Sequence, residues 1–466
     1  MNEICRQDAA ALARLIADGG ASSTEVVQAH LQRIEELNPV LNAITEVLAD
    51  QALAAAAEAD RIRADGGVLG PLHGVPFTVK QNIDLAGSAT NWGLPALAGA
   101  IADGDSPVVE RMKAAGAIPI ARTNCPDMAL RVHTDSSTAG LTRTPWTAHH
   151  TAGGSSGGEG SALASGMSPI GLGNDIGGSL RNPAACNGIA SLKPSAGRVP
   201  LYTHAPAPDG PPSFQLMPVE GPMARRVADV RLGLEVLEGR HPSDPYSLPT
   251  PPSSPLGRPA RVCVLASPPG GSTDPRVAER IVAAASALGA AGYELVDDEP
   301  PRFTDVVDTW TALISADIHT MAPLVSPLMG DDANRFLGAV LDANPQVDLA
   351  GYTEIFLRRQ SLMREWAQWM TGVDLLLTPV WTQLPFTHGW DAESTDNALA
   401  TLELIRCVTI ANVLGLPSAA VPAGLVDGLP VGAMVTADRF ADHLALDAAQ
   451  VIEDALGLDT PVDPSY

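Results

Sequence analysis

From Gly74 to Gly188, short apolar runs alternate with segments of helical pattern, and this alternation limits the fold more than any other feature of the chain. Gly74–Asn82 (GVPFTVKQN) is a brief apolar run bounded by glycine and polar residues. Pro107–Gly116 (PVVERMKAAG) has a helical pattern, and Ala117–Ala121 (AIPIA) is again apolar. Gly158–Ser165 is a helix of small residues, followed by the apolar Pro169–Gly173 (PIGLG). Runs this short with such flanks are strands, and strands that alternate with helices predict the α/β class.

The outer parts of the chain extend this pattern. Residues 8–60 read as helices. Asp8–Ala17 ends at Gly19-Gly20, Ser22-x-x-Glu25 is a capping box, and the helix after it is expected to stop at Asn38-Pro39. Leu41–Arg63 is expected to continue the helical layer. Residues 200–258 are proline-rich and predict an irregular surface excursion. Arg261–Ala266, Asp274–Gly289 and Tyr293–Val296 suggest a second βαβ-like unit. Residues 303–370 are mainly helical in pattern. Val373–Leu377, Ala419–Pro422 and Pro430–Val435 read as strands, and Ala441–Leu456 as a closing helix. No internal repeat and no clean linker divide the 466 residues. One large domain is expected, with N-terminal helices over 1–65, a core over 70–200, the excursion over 200–258, and further sheet and covering helices over 259–466.

The charge balance narrows the partners. With 53 acidic and 29 basic residues the formal net charge is −24. Such a chain is a poor ligand for nucleic acid or an anionic membrane surface, which leaves a small molecule as the expected partner. The five cysteines (Cys5, Cys125, Cys186, Cys263 and Cys407) are scattered and form no C-x-x-C. That argues against a disulfide framework and a zinc site. The first residues (MNEICRQDAA) lack the basic and apolar regions of a signal peptide. A cytoplasmic protein is expected. The uncharged stretch Cys407–Val426 is interrupted by Pro417 and Pro422 and reads as core elements, not a membrane span. Among the 29 basic residues only Lys80, Lys113 and Lys193 are lysine. A chain that uses arginine almost everywhere can keep lysine where a base must lose its proton, because arginine does not.

Two glycine–serine clusters are candidates for chemistry. Thr151–Gly160 (TAGGSSGGEG) lacks the G-K-[ST] of a Walker loop, and a loop-like PWTAHH precedes it where a Rossmann fingerprint needs a strand. It sits inside the α/β pattern, which also argues against a linker. Gly153-x-Ser155-x-Gly157 satisfies the G-x-S-x-G of a nucleophile elbow. A serine esterase using Ser155 would then draw its base from His204, His241, His319, His388 or His443. The second cluster, Gly173–Pro183 (GNDIGGSLRNP), follows an apolar run. Its glycines let the amides of Ile176, Gly177, Gly178 and Ser179 converge, as an oxyanion hole requires. Ser179 would be its nucleophile; a tight turn with a helix-capping serine is the structural alternative. Neither cluster contains a histidine. Lys80 ends an apolar strand, where burial would lower its pKa and make it a base, although a strand-end lysine can also simply reach solvent.

The segments Gly74-Val-Pro-Phe-Thr-Val-Lys80, Gly153-Gly-Ser-Ser-Gly-Gly158 and Asp175-Ile-Gly-Gly-Ser-Leu-Arg181 together resemble the amidase signature family. Supporting stretches are Ala121-Arg-Thr-Asn124, Thr142-Arg-Thr-Pro-Trp146, Leu376-Leu-Thr-Pro379 and Gly428-Leu-Pro-Val-Gly432. The resemblance implies a mixed β-sheet covered by helices on both faces. It implies Ser179 as nucleophile, Lys80 as base and Ser155 as the relay between them, with a cis peptide bond at Gly154–Ser155. It further implies an oxyanion hole at Ile176–Ser179, and supporting roles for Ser156, Asp175 and Arg181. No metal or cofactor is implied. The activity implied is hydrolysis of a small carboxylic amide through an acyl-enzyme. The glutaminase-type subunit of a tRNA-dependent amidotransferase shares the triad and is the alternative. Homodimerisation is a family tendency. Gln81 and Asn174 depart from the common pattern, at positions where aspartate and a small hydroxyl residue are frequent. Trp310, Met321, Phe336, Tyr352, Phe356 and Trp381 are candidates to line an apolar pocket, with the excursions at 200–220 and 305–365.

Overall fold

The computed structural model describes residues 1–203, 209–249 and 256–466. Its centre is one eleven-stranded mixed sheet. Along the sheet, Ile44–Val47 is followed by Ile118–Thr123, Pro76–Lys80, Ile170–Asp175, Val219–Ala224 and Ala190–Lys193. The order continues through Ser418–Val426, Leu429–Ala437, Leu375–Pro379, Arg261–Val264 and Glu294–Val296.

Period-two alternation sorts the strand side chains onto two faces. Phe77, Val79, Ile170, Leu172, Val421 and Val435 enter one buried cluster, where helices Ala9–Ala17, Pro107–Ala114, Val227–Leu237, Pro275–Ala290 and Asp442–Leu456 cover the sheet. On the opposite face Cys263, Leu376, Ala420 and Met434 pack under helices Phe303–Val325, Leu349–Trp369 and Arg406–Leu414. The expected α/β sheet with helices on both faces is therefore present.

Several local expectations needed correction. The capping box at Ser22 and Glu25 forms, but its helix runs through Pro39 to Leu41 and stops where Asn42 turns left-handed. Leu41–Arg63 is not one helix: Ile44–Val47 is an edge strand, and helix Ala49–Ala64 follows. Within the proline-rich 200–258, Val219–Ala224 is a wholly buried central strand despite Pro222. Glycine and proline hid it, while pairing with strands on both sides holds it in place. The Cys407–Val426 stretch resolves into part of helix Arg406–Leu414 and strand Ser418–Val426. Among the described residues no single helix is long and apolar enough to cross a membrane.

Candidate active site

The site forms where two neighbouring parallel strands end. Pro76–Lys80 pairs in parallel with Ile170–Asp175, so both strands deliver their last residues to the same edge. Thr78 and Lys80 lie on the face opposite Phe77 and Val79 and point away from the first apolar cluster. Lys80 is wholly buried. Its Nζ lies 2.7 Å from Ser155 Oγ and 2.7 Å from Asn174 Oδ1. The Asn174 amide is oriented by its Nδ2, which donates to Asn82 Oδ1 at 3.0 Å. Burial is the main reason that the Lys80 pKa falls to about 8, while nearby acidic groups, Asp175 and Glu159 among them, oppose the fall. Lys193 is also buried and donates to the carbonyls of Pro194 and Leu416, whereas Lys113 pairs with Asp105 nearer the surface.

The first glycine–serine loop is fixed by packing. Gly154–Ser155 is cis. Gly153 has φ +73°, and a Cβ there would meet Pro183 Cα at 2.8 Å. A Cβ on Gly154 would meet the Arg131 carbonyl oxygen at 2.7 Å. Thr134 Oγ1 donates to the Gly153 carbonyl at 2.8 Å and accepts from the Gly157 amide. Ser156 is buried, and its Oγ has no hydrogen-bond partner among the described residues.

The second loop hangs on Asp175. Its carboxylate accepts from the amides of Gly178 (2.8 Å) and Leu180 (3.1 Å), from Arg181 Nε and Nη2 (3.0 and 2.8 Å), and from Asn412 Nδ2 (3.0 Å). Burial opposes its charge, but Arg181 overcomes that and holds the pKa down at about 2. Gly178 was expected to supply one of four converging amides. Instead its N–H donates to Asp175 Oδ1, and its φ of +96° is a conformation that favours glycine. The amides of Ile176, Gly177 and Ser179 have no acceptor among the described residues. The loop carbonyls are held: that of Ile176 accepts from Trp310 Nε1 at 2.7 Å, and that of Gly177 from Asn182 Nδ2 at 3.2 Å.

Asn182 and Glu159 were missed by sequence reasoning. Asn182 Nδ2 also donates to the Gly154 carbonyl at 3.2 Å and so joins the two loops. Glu159 accepts from Thr78 and Thr123, one on each of two adjacent strands, and lies near Lys80. Its signal was a lone carboxylate in a helix otherwise built of small residues.

Ser155 and Ser179 line one cavity of about 630 Å³. Its apolar walls include Trp92, Met128, Leu130, Phe214, Ile318 and Met321. Only Met321 among the six proposed pocket residues is a wall. Trp310 and Trp381 brace the loops instead, Phe336 joins a separate core cluster, and Tyr352 donates to Asp317 with Phe356 edge-on beside it. Both excursions do contribute walls, through Leu201–Thr203 and Phe214–Leu216 from one and Ile318, Met321 and Met363 from the other. No histidine lines the cavity among the described residues. His241 contacts Glu110, His319 the Asn344 carbonyl, His388 the Ala148 carbonyl and His443 two arginines; His204 lies outside the described residues.

The amidase family model matches residues 25–446. The chain belongs to the amidase family. It is an amide hydrolase acting on carbon–nitrogen bonds other than peptide bonds. This amidase is 40% identical to an indoleacetamide hydrolase of Bradyrhizobium diazoefficiens, over 96% of its own length and 86% of the relative's. It is 32% identical to a glutamyl-tRNA(Gln) amidotransferase subunit of Salinispora arenicola, over 99% of both chains. Its fold superposes on a bacterial aryl acylamidase of the amidase signature family with a TM-score of 0.83 and 27% identity, covering 99% of this chain and 97% of the other.

Proposed function

We propose that this amidase hydrolyses the primary amide of a small arylacetic acid through an acyl-enzyme on Ser179. The observation that carries the mechanism is the 2.7 Å contact between buried Lys80 Nζ and Ser155 Oγ in a cavity that Ser179 also lines. Neutral Lys80 accepts a proton from Ser155 as Ser155 takes one from Ser179. Ser179 Oγ attacks the amide carbonyl, and the free amides of Ile176, Gly177 and Ser179 receive the oxyanion. Asp175 and Arg181 keep that loop in shape. The proton returns through Ser155 to the departing nitrogen, and water then releases the acid. The absence of a cavity histidine among the described residues favours Ser179 with Lys80 over an elbow nucleophile at Ser155.

The substrate class rests on the apolar cavity and on the relatives. A cavity of about 630 Å³ suits a bicyclic aryl group with its acetamide. The 40% identity to the indoleacetamide hydrolase, against 32% to the amidotransferase protein, favours an enzyme that works alone. The test compares ammonia release from indole-3-acetamide, phenylacetamide, hexanamide and glutamine. The two aryl amides are expected to give the highest kcat/KM. Preference for glutamine, or activity only with co-purifying subunits, would overturn this assignment.

The rate is expected to rise with pH through about 8 and level off above it, because only neutral Lys80 accepts a proton. Two pH units below that value the neutral fraction, and with it kcat/KM, is expected to be about 100-fold lower. A profile that stays flat from pH 5 to 9 in folded protein removes Lys80 as the base.

A further inference from the structure

Glu220 is a cavity residue with no part in the proposed mechanism. It stands on the central strand Val219–Ala224, in register with Asn174 on Ile170–Asp175. Residues directly opposed on antiparallel strands share a face. Its side chain therefore lies on the same face as the Asn174 amide that contacts Lys80. Glu220 is 1% exposed and lines the cavity with Asn82, Asn174, Ser155 and Ser179. Among the described residues its carboxyl forms no hydrogen bond and no ion pair, and its Oε2 is buried without a partner. Lys80, the cation that acts on it, directs its Nζ to Ser155 and Asn174. Burial, reinforced by Asp84 and Asp244, raises the Glu220 pKa well above the carboxylate range.

A buried polar group with no partner is costly, and an apolar side chain on this strand would avoid the cost. The space that Glu220 lines is the cavity of Ser155 and Ser179. We propose that Glu220 is a specificity-determining residue whose carboxyl oxygen accepts a hydrogen bond from an N–H donor on the acyl group of the substrate. This inference rests on the arylacetamide reading and sharpens it: the preferred acyl group is a heteroaryl ring with an N–H, not a plain hydrocarbon. With its pKa raised, Glu220 is a neutral acid whose carbonyl oxygen can accept from such a donor. A site built to hydrogen-bond a substrate group discriminates strongly against an analogue that lacks it, because its own polar group is then left unpaired.

The test uses two amides of matched shape. Indole-3-acetamide carries the N–H, and 1-benzothiophene-3-acetamide replaces it with sulfur. The measured quantity is the ratio of their kcat/KM values. Wild type is expected to favour the indole by about tenfold or more. E220L is expected to bring the ratio close to one, and E220Q, which keeps a carbonyl oxygen, to preserve most of it. A ratio that is the same in wild type and E220L overturns the proposal, even if both rates fall together, because Glu220 then acts through Lys80 or the fold. If E220L does not fold, wild type and E220Q decide: a wild-type ratio near one overturns the proposal. Efficient turnover of both amides with an unchanged ratio removes the Glu220 proposal and leaves the arylacetamide reading standing. Turnover of neither amide, with Ser179 still labelled by a fluorophosphonate, removes both.

Discussion

Ser179→Ala is expected to lose about five to six powers of ten in kcat, with the remainder coming from binding and the oxyanion amides. Lys80→Ala and Ser155→Ala are expected to fall on the same scale. In the proposed mechanism the three act as one proton path, so combining them is expected to add little to any single loss. A fluorophosphonate is expected to add once to wild type, at Ser179 by peptide mapping, and not to Ser179→Ala. Folding is not at issue for this variant, since the Ser179 side chain takes part in none of the hydrogen bonds that hold the loop. An adduct on Ser155 with Lys80→Ala still active would reverse the assignment and place the nucleophile in the first loop.

Arg181→Met is expected to cost about 3–5 kcal/mol of stability, read as a fall in denaturant midpoint, and to abolish measurable activity. Arg181 and Asp175 are both fully buried and lie 2.8 Å apart. Removing the guanidinium leaves a buried carboxylate without its charge partner and takes away the donor to the Val408 carbonyl and to Asn412. Asp175 then loses the partner that keeps it charged, and the hold on the Gly178 and Leu180 amides loosens. Pairing Arg181→Met with Asp175→Asn is expected to be less damaging to stability than the two single losses added together, because the unpaired charge is gone. Strict additivity would mean that the ion pair is not what holds the loop.

Much of this protein was legible along the chain because its signals are local. Short apolar runs ending in glycine, serine or asparagine marked the strands that carry the site. Three lysines among 29 basic residues drew attention to Lys80. The two serine loops could be read from their glycines, since positions such as Gly153 and Gly178 take positive φ values that other residues resist. The central strand Val219–Ala224 was not legible, because Gly221 and Pro222 carry a turn signal that only pairing on both sides overrides. The end of the first long helix was misplaced because the helix tolerates Pro39 in its last turn and stops only at the left-handed Asn42.

Tertiary structure decided which groups meet. Nothing along the chain shows that Lys80 and Ser155, 75 positions apart, come within 2.7 Å. Parallel pairing of Pro76–Lys80 with Ile170–Asp175 brings those strand ends together, and Glu159, bonded to Thr78 and Thr123, ties the helix that follows Ser155 to the same part of the sheet. The same pairing put Asn174 on the lysine, and the neighbouring antiparallel strand put Glu220 opposite Asn174. Which amides remain free for an oxyanion was also decided in three dimensions, when Asp175 claimed that of Gly178. The cavity walls were the least legible part. They come from distant segments, and an aromatic or methionine side chain looks alike in sequence whether it faces a core or a substrate. Backbone preference and residue type are local properties, so the class of fold and the chemical groups available could be read along the chain. The geometry that turns those groups into a site depends on strand order and register, which are properties of the whole sheet.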